Sequence, residues 1–159
     1  MQQLNHWLAV VLEKKSYGIE PASADASFRR YFRVTVDGET LIAMDAPPPQ
    51  EDCTPFVHAA EVFGAAGLNV PKIIAQDIPN GFLLLSDLGN TTFLSALQAP
   101  NGLEVAADLY RDASNALVKM QLASKPDVFP PYDETLLTRE MQLFPDWYVS
   151  KHLKTTLTD

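Results

Sequence analysis

The pair Asp37-Gly38, set between two stretches of alternating polar and apolar residues, constrains this chain more than any other feature. Asp-Gly tolerates positive φ at both centres of a two-residue turn, the backbone whose twist matches that of paired strands. A hairpin is therefore predicted, with strands over 28–36 and 40–46. With two residues in the turn, Arg30 faces Asp45 and Tyr31 faces Met44. One face then carries Phe28, Arg30, Phe32, Val34, Leu41, Ala43 and Asp45, and the other Arg29, Tyr31, Arg33, Ile42 and Met44. A slip of one residue would exchange the two sets.

The flanking sequence supplies cover for such a ladder. Leu4, Trp7, Leu8, Val11 and Leu12 repeat at helical spacing, with Lys14, Lys15 and Gly18 as end signals. Pro47-Pro48-Pro49 ends the second strand, and Thr54-Pro55 reads as N-cap and first turn of a helix reaching Ala66, with Phe56, Ala60 and Phe63 inward and Glu61 on the flank. Two short strands follow, 72–76 and 82–86, joined by Pro79-Asn80-Gly81. Beyond Asp87-Leu88-Gly89 only helical patterns occur, over 91–98, 103–122 and 133–144, where Pro145 kinks or ends the last. The expected fold is α+β: a small, mostly antiparallel sheet with helices in residues 1–88, and a helical region in 89–159.

Composition narrows the classes of partner. Hydrophobic residues make up 47% of the 159 and charged residues 20%, the balance of a globular domain. A formal charge of −8 argues against a general nucleic-acid or anionic-membrane binder, so any phosphate must be held locally. Cys53, the single cysteine, cannot form an internal disulfide, and no histidine stands in an obvious motif to activate it. No Lys or Arg precedes the first apolar run, which stops at Glu13, and no segment is long enough to span a bilayer. A cytoplasmic protein is expected. His6, His58 and His152 show no metal-ligand spacing and read as surface residues, so no metal site is expected.

Three stretches admit a functional reading beside a structural one. In Ser23-Ala24-Asp25-Ala26-Ser27, small residues before an arginine-bearing strand would let backbone N–H groups cradle phosphate oxygens, with the arginines supplying charge. The structural reading, which the stretch by itself favours, is an ordinary loop with the arginines solvated or paired, Arg30 with Asp45. Ser86-Asp87-Leu88, at the end of an apolar strand, is either a cleft offering backbone polar groups to a ligand or a plain linker. Asp133 and Glu134 read as a substrate-facing carboxylate pair or as a helix cap.

In series, several motifs resemble the aminoglycoside phosphotransferase family of kinase-like enzymes, closest to its bacterial branch of N-acetylmuramate/N-acetylglucosamine kinases, the anomeric sugar kinases of cell-wall recycling. They are Ser23–Arg33, Met44–Pro48 with Glu51-Asp52, Gly67–Pro71, Gly81–Gly89, and Pro130–Asp133 with Arg139-Glu140 and Phe144-Pro145. The resemblance implies a protein-kinase-like N-lobe followed by the first helices of a C-lobe, ATP with Mg as cofactor, and a small sugar, an aminoglycoside or an amino alcohol as acceptor. It implies nucleotide contacts from Ser23, Asp25, Ala26 and Ser27 in the phosphate-covering loop and from Ser86, Asp87 and Leu88 in the hinge. Glu61 looks like the helix glutamate that pairs the phosphate-binding cation. Asp133 and Glu140 are the weaker, substrate-side candidates.

Two departures from the family pattern qualify those implications. Met44 stands where the strand lysine is expected, which makes Arg29 or Arg33, on the face of Met44, the replacement cation and Arg30 a structural partner of Asp45. The catalytic loop H-x-D-x-x-x-x-N does not occur, since no histidine has Asp two residues on. The resemblance therefore implies an ATP-facing part of a kinase, without catalytic base or metal ligands and inactive alone. Apolar C-lobe residues such as Leu117, Leu136 and Phe144 are expected to promote self-association. A non-catalytic nucleotide- or partner-binding module of the same fold is the alternative.

Overall fold

A computed structural model describes residues 1–14, 16–24 and 27–157. Its elements run α1 (Gln2–Val11), β1 (Gly18–Ala24), β2 (Arg30–Val36), β3 (Glu39–Asp45), α2 (Thr54–Ala65), β4 (Ile73–Asp77), β5 (Phe82–Ser86), α3 (Phe93–Leu97), α4 (Gly102–Leu122) and α5 (Glu134–Leu143). A 3₁₀ turn over Ile78–Asn80 joins β4 to β5, and α5 runs on as a π-helix over Phe144–His152. Two compact units result, residues 1–123 and the residues from Ser124 on.

The predicted hairpin forms in the predicted register. Arg30 pairs with Asp45, Tyr31 with Met44 and Val36 with Glu39, which leaves Asp37 and Gly38 as the turn, both at positive φ. The sheet order is β1-β2-β3-β5-β4, antiparallel throughout. The expected α+β architecture is thus present, as a five-stranded sheet where four strands were anticipated.

The additional strand is β1, and its composition explains why the pattern hides it. Pro21 has no N–H to give a ladder, and the register shifts between Pro21 and Ser23, so the strand carries both a proline and a bulge. Such a strand is tolerated only at an edge, where β1 lies. Gly18, read as a helix end signal, instead opens this strand. The first helix stops earlier, at Val11, and Glu13 takes the left-handed conformation a terminal glycine would have supplied.

Each face of the sheet buries one cluster. On the first, Leu4 and Leu8 of α1 pack with Val34, Ala43, Phe82 and Leu84, and the Trp7 and Phe82 rings lie 5.6 Å apart. On the other, Phe56 and Val57 of α2 cover Met44, Leu83 and Leu85, beside fully buried Cys53 and Ala46. The interior strand β5 is thus buried on both faces, which explains its unbroken Phe82-Leu83-Leu84-Leu85 run. The start of α2 differs from expectation in one detail: Thr54 is the first helical residue, and the Asp52 carboxylate accepts its N–H at 2.8 Å.

Within the first unit, Lys119 of α4 donates to the Gly67 carbonyl just after α2. Gly67 is at positive φ, and a side chain there would press on the Lys119 ammonium. In the second unit, Asp133 caps α5 by accepting the Leu136 N–H at 2.8 Å. Pro145 cannot donate to the α-helical ladder, and from Phe144 the coil widens, with the Leu153 N–H reaching the Tyr148 carbonyl. The rings of Phe144, Tyr148 and His152 stack along it at 5.3 and 5.4 Å. Among the described residues, no helix is long and apolar enough to cross a membrane.

Candidate functional site

The three arginines of the opening motif each meet a different carboxylate. Arg30 leads β2 directly opposite Asp45, and cross-strand pairing brings its Nη2 onto the Asp45 Oδ2. Asp45 is almost fully buried beside the α1 cluster, so this pair satisfies a charge that would otherwise be costly there. The expected partnership of Arg30 and Asp45 forms.

Arg33 projects from the other face and reaches past the end of β5 to Asp87. Its Nε and Nη2 donate to the two carboxylate oxygens at 2.6 and 3.2 Å, a fork-to-fork contact. Both side chains are largely enclosed, 15% exposed for Arg33 and 6% for Asp87. The Asp87 carboxylate also accepts the Gly89 N–H at 2.8 Å. Chiefly through the Arg33 hydrogen bonds, and further through Gly89 and Thr40, the Asp87 carboxyl is held well below the usual carboxylate range.

Arg29 lies one residue before β2, and its partner comes from the proline-rich connection between β3 and α2. Glu51 Oε2 accepts the Arg29 Nε at 3.0 Å while Oε1 accepts the Phe28 N–H at 3.0 Å. Burial works against the Glu51 charge, but Arg29, Phe28 and the Ser27 hydroxyl together bring its carboxyl below the ordinary value. Ser23, Ser27, Phe28, Arg29 and Tyr31 border a cleft of about 360 Å³ at this end of the sheet. Ser23 pairs with Tyr31 as the last part of β1, and the Ser27 hydroxyl accepts the Arg29 N–H at 3.1 Å. Asp25 and Ala26, the remaining members of the predicted phosphate loop, lie outside the described residues.

Other predicted site residues sit as follows. Met44, at the position expected to hold lysine, is fully buried. Glu61 is exposed on α2 and pairs with no cation among the described residues. The Ser86 hydroxyl accepts the Lys72 N–H at 2.9 Å, while its own N–H donates to the Lys72 carbonyl, so both groups are spent on closing the β4–β5 end. Leu88 is exposed between Asp87 and Gly89. In the second unit, Asp133 serves as helix cap and Glu140 pairs with Arg139 at 3.1 Å on the surface. Among the described residues, no group of three or more His, Cys, Asp or Glu side chains converges to hold a metal ion.

Sequence reasoning did not assign Glu51 a role. Its place in Glu51-Asp52 after three prolines carried no periodicity, and only the folded chain brings it 22 residues back to Arg29. Burial leaves Cys53 a structural thiol, with its pKa pushed up.

A five-stranded antiparallel sheet with helical cover, followed by further helices, is the α+β architecture of a kinase-like N-lobe and the helices after it. Residues 18–159 match the model of the phosphotransferase enzyme family, and the chain belongs to that family. It is 49% identical over 162 aligned residues to the N-acetylmuramate/N-acetylglucosamine kinase of Pseudomonas aeruginosa, covering 96% of this chain and 47% of that protein. Proteins of the same name from Pseudomonas putida and Neisseria meningitidis serogroup B are 44% and 40% identical, over 100% and 98% of this chain. The chain spans about half the length of each.

Proposed function

We propose that this chain forms the ATP-facing part of a small-molecule kinase that phosphorylates the anomeric hydroxyl of an N-acetylated amino sugar, in the cytoplasmic recycling of cell-wall sugars. The observation that carries this reading is the 49% identity to a kinase of that name along 96% of the chain. In this reading the cleft beside Ser23, Ser27 and Arg29 takes the nucleotide phosphates, with Asp25 and Ala26 as further proposed nucleotide-binding residues. The lobes divide at residues 88 and 89. Adenine meets backbone N–H and C=O groups at Asp87 and Leu88, because the Asp87 carboxylate is already committed to Arg33.

Arg33 then serves as the strut that fixes the hinge, and Arg29 is the cation that serves in place of the missing lysine. A bound Mg-ATP would supply the transferable phosphoryl group, while these residues bind and orient it. Asp133 and Glu140 are proposed substrate-side residues. The catalytic motif H-x-D-x-x-x-x-N is absent from the 159 residues, so nucleotide binding without turnover is expected of this chain. Calorimetric titration with ATP, with and without magnesium, tests the reading, alongside a turnover assay with N-acetylmuramate. Saturable binding of ATP without sugar phosphate supports it, and a chain that binds no ATP at all overturns it.

A further inference from the structure

The three arginines differ in which nitrogen they have committed. Arg33 gives both Nε and Nη2 to Asp87, so its fork is consumed. Arg30 also borders the cleft, but its terminal Nη2 is drawn to the buried Asp45. Arg29 is held by Nε, the nitrogen nearest the aliphatic stem, at 3.0 Å from Glu51 Oε2. The Tyr31 hydroxyl also acts on the guanidinium electrostatically. A guanidinium has five N–H donors, and gripping it at Nε leaves terminal ones for a ligand. Arg29 is 29% exposed and Glu51 12%, and of the two only Arg29 borders the cleft.

Glu51 does more than neutralise. It accepts the Phe28 N–H and the Arg29 Nε and meets the Ser27 hydroxyl, three consecutive residues at the exit of the serine-bordered loop. An arginine pinned at its stem loses less rotamer freedom when its tip closes on an anion, so less of the binding free energy goes into ordering it. We propose that Glu51 is a positioning residue for anion binding: through Arg29 it presents a preset fork to a polyphosphate oxygen in the cleft. This rests on the nucleotide reading given above.

Simple electrostatics and positioning predict opposite signs, which makes the inference testable. A carboxylate near an anion repels it, so its removal should tighten binding if Glu51 has no other role. If Glu51 presets Arg29, Glu51→Gln should weaken binding of ATP and of inorganic tripolyphosphate by about tenfold, the worth of one charge-assisted hydrogen bond. Binding of adenosine, which lacks phosphate, should be unchanged. Arg29→Met should weaken the same two ligands, and the double variant should be no weaker than Arg29→Met alone. Arg29→Lys, which keeps the charge but has no Nε to hold, should resemble Glu51→Gln. Unchanged or tighter tripolyphosphate binding by Glu51→Gln overturns the inference while leaving the nucleotide reading in place. An equal loss for adenosine and tripolyphosphate overturns it too, in favour of a structural role. Failure of the unaltered chain to bind ATP and tripolyphosphate removes both.

Discussion

Asp87 shows how one side chain can be withdrawn from ligand binding by its neighbours. Its carboxylate accepts from Arg33 and from the Gly89 N–H, so its charged form is favoured in the fold. Because the folded carboxyl holds its proton more weakly than the unfolded one, the pair adds stability in full above the unfolded pKa of about 3.9. That contribution drains away as pH falls from there toward the lower folded value. Melting temperature measured against pH should therefore drop below about pH 4, and Asp87→Asn should flatten that limb while lowering the plateau near neutrality. A second residue is fixed by backbone geometry. Gly81 has φ of 73°, and a Cβ there would lie 1.9 Å from the Ala46 carbonyl oxygen, next to the 2.8 Å bond from the Ala46 N–H to the Gly81 carbonyl. Gly81→Ala should destabilise by at least about 1–3 kcal/mol from the left-handed backbone alone, with more from the clash, as read by thermal or urea unfolding.

At the scale of elements, what the sequence made legible followed from local rules. Asp37-Gly38 fixed the β2–β3 register, and with it the pairing of Arg30 and Asp45, because a two-residue turn leaves one alignment. Strand β1 escaped because a proline and a bulge erase the alternation by which strands are recognised. The contacts of Arg29 with Glu51 and of Arg33 with Asp87 were hidden for another reason: 22 and 54 residues separate the partners, and no periodicity links them. The family resemblance drew attention to Glu61 on a helix flank, whereas the carboxylate that meets Arg29 comes from an irregular proline-rich segment. The fold also ranks its strands. Leu84 lies at the centre of β5 in the α1-side cluster and is fully buried, so Leu84→Ala should cost about 2–5 kcal/mol in denaturant unfolding. The same change at exposed Leu94 of α3 should cost far less.

For the molecule as a whole, the distribution of apolar surface is uneven along the chain. The buried core is drawn almost entirely from α1 and the strands, while α4 exposes Leu103, Tyr110, Leu117 and Leu122. In the second unit Leu137, Met141, Phe144 and Trp147 are likewise exposed, whereas Leu136 is partly covered. Apolar surface of this extent favours association, and the relatives carry roughly as many residues again beyond the matched half. Size-exclusion chromatography across a hundredfold range of concentration should show a concentration-dependent shift to larger species, and a constant monomer would count against it. A net charge of −8 opposes that association at low salt, so the shift should grow as salt is added.

The placement of β5 between β3 and β4 also sets an order of assembly. Strands β1, β2 and β3 follow one another through short connections and pair as a meander, and β4 and β5 form their own hairpin. The sheet becomes one only when β5 docks on β3, across residues 46–81. That closure is the non-local, slower event. Until it happens, Leu41–Asp45 and Phe82–Ser86 stand as two open, apolar strand edges, each able to recruit the wrong partner. Slow meeting of those two edges would therefore lower the share of newly made chain that reaches the native sheet.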